Sequence, residues 1–80
     1  MSLADRLATV FDEVFGLAPD RFSSSAMPED VPNWDSIGHM NLVLRLEKEF
    51  GQRFDVDEIM DMSSAGKILD ILRTKGVQDD

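Results

Sequence analysis

The sequence predicts an all-α fold: a four-helix bundle with a long first loop and a short third helix, forming one domain over residues 1–80. Three observations predict it. Apolar residues recur at spacings of three and four, the period of a helix face. Strand signals are weak, with no sustained alternation, no Asn-Gly or Asp-Gly turn and no tyrosine. All three prolines (Pro19, Pro28 and Pro32) fall in one stretch, where they leave no room for a helix of useful length. The chain is short and has no cysteine. Its core is therefore small and unstapled, and helix packing must supply its stability.

The first helix should run from Ser2 to Phe15. Ser2 caps it, and Asp5 stands three residues on, a weak form of the capping box. Leu3, Leu7, Val10 and Val14 make the apolar stripe, with Phe11 and Phe15 beside it, and Gly16 is the C-cap. Leu17 to Asp35 reads as a loop. About twenty residues is long for a connection in a compact domain unless the loop carries its own packing. Leu17, Phe22, Met27, Val31 and Trp34 are expected to pin it to the core, with a turn of helix around Pro19 to Phe22. The second helix starts at Asp35 or Ser36 and ends at Phe50-Gly51. A short third helix covers Asp57 to Met62. The fourth starts at Ser63 or Ser64, runs through Ile68, Leu69, Ile71 and Leu72, and stops at Gly76, leaving Val77 to Asp80 to fray.

Composition removes several function classes. Without cysteine there is no disulfide, thiolate metal site or cysteine nucleophile, and one histidine is too few for a histidine-rich metal site. Sixteen acids against eight bases give a net charge of −8, which repels nucleic acid and anionic lipid. No apolar run approaches the roughly 20 residues that cross a bilayer. Residues 1–13 lack the basic-then-apolar pattern of a secretory signal. The expectation is a cytoplasmic monomer with no nucleic-acid partner and no membrane insertion.

The second helix faces two ways. With Ile37 at zero and about 100° per residue, Leu42, Val43, Leu46 and Phe50 fall on one arc and Ile37, Met40 and Leu44 on the opposite one. Either the long loop covers this second face, or it is an exposed patch for a partner.

Ser36 stands at the helix start, within Asn33-Trp34-Asp35-Ser36-Ile37-Gly38-His39. As a hydrolase nucleophile it fails: Trp34 replaces the first glycine of the nucleophile elbow, and only His39 could serve as a base. As an N-cap it is ordinary. A third reading is a modification site, since free backbone N–H groups at a helix N-terminus favour a phosphate.

These residues resemble an acyl carrier protein over nearly the whole length. The resemblance rests on Asp35-Ser36-Ile37, on Leu42-Val43-Leu44-Arg45-Leu46-Glu47-Lys48-Glu49-Phe50, on the acidic stretch from Asp55 to Asp61 and on the closing helix from Ser64 to Lys75. It implies that Ser36, preceded by Asp35, receives 4′-phosphopantetheine from a phosphopantetheinyl transferase using coenzyme A. It further implies that the chain is not an enzyme: it carries acyl groups as thioesters and presents them to acyl-transferring, condensing or ligase enzymes. The implied partner face is Ile37, Met40, Asn41, Leu44, Glu47 and Lys48 beside Asp35. The implied acyl-chain lining is Val10, Phe11, Leu42, Leu46, Ile59, Met62 and Leu72, which equally read as ordinary core. Asn41 and Lys48 stand where fatty-acid-synthesis carriers commonly have acids, and Arg45 adds a positive charge. The departures point to a specialised fatty acid, polyketide, lipid or amino-acid-loading pathway. Asn33-Trp34 in place of Gly-Gly counts against a peptidyl carrier. The alternative is an unmodified helical adaptor binding a partner through Ile37, Met40 and Leu44.

Other constellations are weaker. Asp55-x-Asp57 lacks the following ligand and glycine of a calcium loop, because Ile59 and Met60 stand there. Loose cation binding to the acidic third helix stays open, and no dedicated metal site is read. His39 either tunes the site or is a satisfied histidine at the core's edge. Trp34 is either a loop anchor or a flank of the cofactor site. Met1, Met27, Met60 and Met62 read as gap fillers.

Overall fold

The computed structural model describes residues 2–78. Met1, Asp79 and Asp80 lie outside them, and with them the reading of Met1 as a gap filler and of the last two residues as frayed. The chain order is α1 (Leu3–Phe15), α2 (Ser36–Phe50), α3 (Val56–Met60) and α4 (Ala65–Thr74), with 3₁₀ turns at Pro19–Arg21 and Pro28–Asp30 in the long loop. No strand occurs among the described residues, and α1 packs against both α2 and α4.

Local chemistry sets the boundaries. The Ser2 hydroxyl accepts from the Asp5 N–H while the Asp5 carboxylate accepts from the Ser2 N–H, a complete capping box. Gly16 ends α1 at φ 70°, left-handed backbone that suits glycine. At α2 the cap is Asp35 rather than Ser36: Asp35 Oδ1 accepts from the Gly38 N–H at 2.8 Å. At α4 it is Ser64, accepting from Lys67 N–H. The third helix starts one residue earlier than its charge pattern suggests, because Asp55 and Glu58 form a capping box around Val56, and it ends earlier, at Met60. After α4, Gly76 N–H donates to Arg73 C=O and Val77 N–H to Leu72 C=O, closing a Schellman turn. Val77 packs against the core, so the tail is pinned one residue further than expected.

The core gathers Leu3, Leu7, Val10 and Phe11 of α1, Leu42, Val43 and Leu46 of α2, and Ala65, Ile68, Leu69 and Leu72 of α4. Phe50 only borders it, where Arg6 lies 4.6 Å above its ring. The loop is anchored much as its apolar residues suggest, with one exchange. Val31 and Trp34 are buried and Leu17 and Phe22 pack at the edge, but Met27 is 42% exposed and Ala26 takes the buried place. The reason is backbone pairing: Ala65 N–H donates to Ala26 C=O, which stitches that point of the loop to the start of α4. Phe11 collects Phe15, Phe22 and Trp34 edge-on at 5.1–5.5 Å, tying the loop to α1.

Candidate functional site

The segment before α2 is held by close backbone contact. Asn33 adopts φ 73°, a conformation asparagine tolerates better than most residues. Its carbonyl lies against Gly38, where a Cβ would collide with it and approach the Phe15 ring to 3.0 Å. Gly38 therefore lets the loop lie on the first turn of α2. Asp35 becomes the cap and Ser36 the first helical residue, exposed, with its hydroxyl free of partners among the described residues. Asp35 satisfies the Gly38 N–H, while the Ser36 and Ile37 N–H groups have no acceptor among the described residues. The hydroxyl and these two N–H groups thus stand together at the start of α2, on exposed residues.

A groove of about 310 Å³ adjoins Ser36. Trp34, Asp35, Ser36 and His39 line it from the loop end and α2; Ile59, Met60 and Met62 line it from α3 and its exit. Trp34 anchors the loop, being 4% exposed, and also lines the groove. Its Nε1–H donates to His39 Nδ1 at 2.8 Å, and His39 Nε2 lies 2.9 Å from the Ile59 carbonyl. An indole can only donate, so Nδ1 accepts and Nε2 carries the hydrogen given to Ile59. His39 is thus a satisfied histidine that bridges loop, α2 and α3.

The second face of α2 is open. The loop does not cover it: Ile37 is 77%, Met40 48% and Leu44 61% exposed, and Asn41 and Lys48 are exposed beside them. Glu47, expected on the same face, has a partner within the protein. It is half-buried, and its carboxylate accepts from the Phe54 N–H at 3.0 Å, holding the turn after α2. Nor does Arg45 present a free charge, since Glu13 (2.6 Å) and Glu49 (3.1 Å) both pair with it. Partial burial works against its charge, but Glu49 and Glu13 outweigh that and hold the guanidinium above its usual range. Lys48 is exposed on this face and has no ion pair among the described residues. The structure adds Val56 and Met60 of α3, 69% and 77% exposed, which sequence reasoning missed, Met60 having been read as a gap filler. Their spacing of four was the available signal.

Of the residues implied for acyl-chain lining, Ile59 and Met62 line the groove beside Ser36. Val10, Phe11, Leu42, Leu46 and Leu72 are fully buried in the packed core. No group of three or more acidic or histidine side chains is placed to hold a metal ion among the described residues. Asp55 and Glu58 are engaged in capping. No helix among them is long and apolar enough to cross a membrane.

Comparison with family models matches residues 33–72, half of the chain, to the phosphopantetheine attachment site. The chain belongs to this family. The match begins at Asn33 and spans the loop end, α2, α3 and most of α4; α1 lies outside it. A search of the curated proteins finds no match. The family's prosthetic group is covalent 4′-phosphopantetheine, and a family member acts as a carrier for it. The residues present fit such a group: a solvent-facing hydroxyl, free backbone N–H groups suited to a phosphate, and a largely apolar groove alongside.

Proposed function

We propose that this chain is a cytoplasmic, monomeric carrier that holds acyl intermediates on a 4′-phosphopantetheine arm attached to Ser36, serving one specialised fatty acid, polyketide or related pathway. The observation that carries the reading is the Ser36 residue: exposed, first in α2, its hydroxyl without a partner among the described residues, and within the family-matched segment. When attached, the arm supplies a terminal thiol that bears acyl groups as thioesters. The chain's own residues do the placing. Asp35 fixes the helix start by taking the Gly38 N–H. The Ser36 and Ile37 N–H groups stabilise the phosphodiester charge, assisted by the helix dipole. A flexible arm then raises the local concentration of cargo at each partner enzyme.

Ile37, Met40, Asn41 and Leu44, continued by Val56 and Met60, form the face offered to the transferase and to acyl-transferring, condensing or ligase enzymes. Lys48 at its far end favours partners with an acid opposite it. A uniformly basic cleft would repel it, which supports a dedicated pathway over general fatty-acid synthesis. The test is intact-protein mass spectrometry after incubation with coenzyme A and a broad-specificity phosphopantetheinyl transferase. The wild type should gain one phosphopantetheine and Ser36→Ala none. A folded wild type that gains nothing, with the transferase active on a control, would leave an unmodified adaptor.

A further inference from the structure

We propose that His39 closes the bundle beside Ser36, so that cargo on the arm stays in the shallow groove instead of entering the core. This rests on the carrier reading above. The floor of the groove is Met62, which is 2% exposed and belongs to the core cluster. Leu42 and Leu46, fully buried, belong to the same core cluster. An apolar chain passing from the groove into that core would displace the flexible Met62 side chain and part α2 from α3. His39 and Ile59 both line the groove, one from α2 and one from α3. There the two helices are tied by the imidazole, through its 2.9 Å contact to the Ile59 carbonyl.

The tie is itself held in register. Trp34 is buried against Phe11 and Phe15, so its indole N–H is a fixed donor. It binds Nδ1 at 2.8 Å with the two rings within 14° of parallel, which commits Nε2 to Ile59. Loop, α2 and α3 are thus joined through one side chain in the lining of the groove beside Ser36. His39 is a positioning residue: it sets how deep cargo sits and thereby whether chain length is sensed by the protein.

The experiment loads wild type, His39→Ala and His39→Gln with acetyl, hexanoyl or decanoyl pantetheine from the matching coenzyme A thioesters, checks each by intact mass, and measures thioester cleavage by neutral hydroxylamine. Wild type should be cleaved at one rate for all three chains. In His39→Ala the decanoyl form should be cleaved about tenfold more slowly than the acetyl form, the effect of burying about two methylenes. Glutamine offers one acceptor and one donor at similar separation and should restore the wild-type pattern. Trp34→Phe, which frees the imidazole while leaving most of the packing, should give part of the alanine effect, and it keeps the test available if the alanine variant unfolds. Chain-length protection already present in wild type, or its absence from folded His39→Ala and Trp34→Phe, overturns the inference, as does glutamine behaving like alanine. Failure of Ser36 to load on folded protein overturns the carrier reading instead, and is seen at the mass step.

Discussion

Replacing Gly38 by alanine should destabilise this protein, against the usual sign of that change in a helix. In an ordinary helix interior the substitution stabilises by about 1 kcal/mol. Here the new Cβ would meet the Asn33 carbonyl well inside contact distance and the Phe15 ring at 3.0 Å. Neither obstacle is the loose end of a flexible side chain. Asn33 is held at φ 73°, and Phe15 packs against Phe11 and Trp34. Overpacking that forces backbone to move costs ~1–3 kcal/mol, and a carbonyl in the way puts this case near the upper end. After the propensity gain, the net loss is ~2 kcal/mol. In a domain of this size that lowers Tm by ~8–16 °C, and with a urea m-value of about 1 kcal/mol/M it moves the midpoint by ~2 M. Thermal and urea unfolding followed by the emission of buried Trp34 measures both. A midpoint that stays put or rises would refute the close contact of loop and helix on which the placement of Ser36 depends.

Other outcomes follow from named contacts. Asp35→Ala should cost about 1 kcal/mol through the lost cap, whereas Ser36→Ala, exposed and unpartnered, should stay within ~0.5 kcal/mol; urea midpoints compare them. Glu47→Ala leaves the Phe54 N–H without its acceptor and should cost ~1–2 kcal/mol, largely restored by Glu47→Gln, again by urea unfolding. Trp34→Phe should cost a similar ~1–2 kcal/mol and free His39 to exchange tautomers, seen in the ¹⁵N shifts of its imidazole. Leu44→Ser with Met60→Ser should leave stability within ~0.5 kcal/mol. The same pair should raise the transferase's KM for this protein about fivefold, the loss of about 1 kcal/mol of contact; an unchanged KM would remove these residues from the docking face.

What could be read from the chain was local. The Ser2–Asp5 box, the Gly16 and Gly51 stops and the two apolar arcs of α2 depend on residues within a turn or two of each other, and periodicity exposes them. Ser36 stood out for the same reason, as a serine beside a cap and an apolar patch. The misreadings were non-local or decided by competition. Asp35 and Ser36 both suit a cap, and only the backbone of Asn33 selects Asp35. Met27 lost its place to Ala26 because a loop carbonyl bonds to α4, which no spacing announces. Arg45 and Glu47 looked like surface charge until Glu13, Glu49 and the Phe54 N–H engaged them. The partners of His39 lie five residues before it and twenty after it, one an indole and one a bare carbonyl. A side-chain pattern cannot show a carbonyl.

The five residues of α3 bury none of their number. A helix that short has no stability of its own. It hangs from the Asp55–Glu58 cap, from His39 at Ile59 and from Lys75, whose ammonium lies 3.1 Å from Glu58 and 5.4 Å from the Phe54 ring centroid. Such an element opens by local unfolding, at a fraction of the global free energy. Its amides should exchange with solvent while those of Leu7, Leu46 and Leu69 wait for the whole chain to unfold. One wall of the groove beside Ser36 therefore keeps its own clock. Its opening is separate from global unfolding, and Lys75, just beyond α4, is one of the three ties that hold it closed.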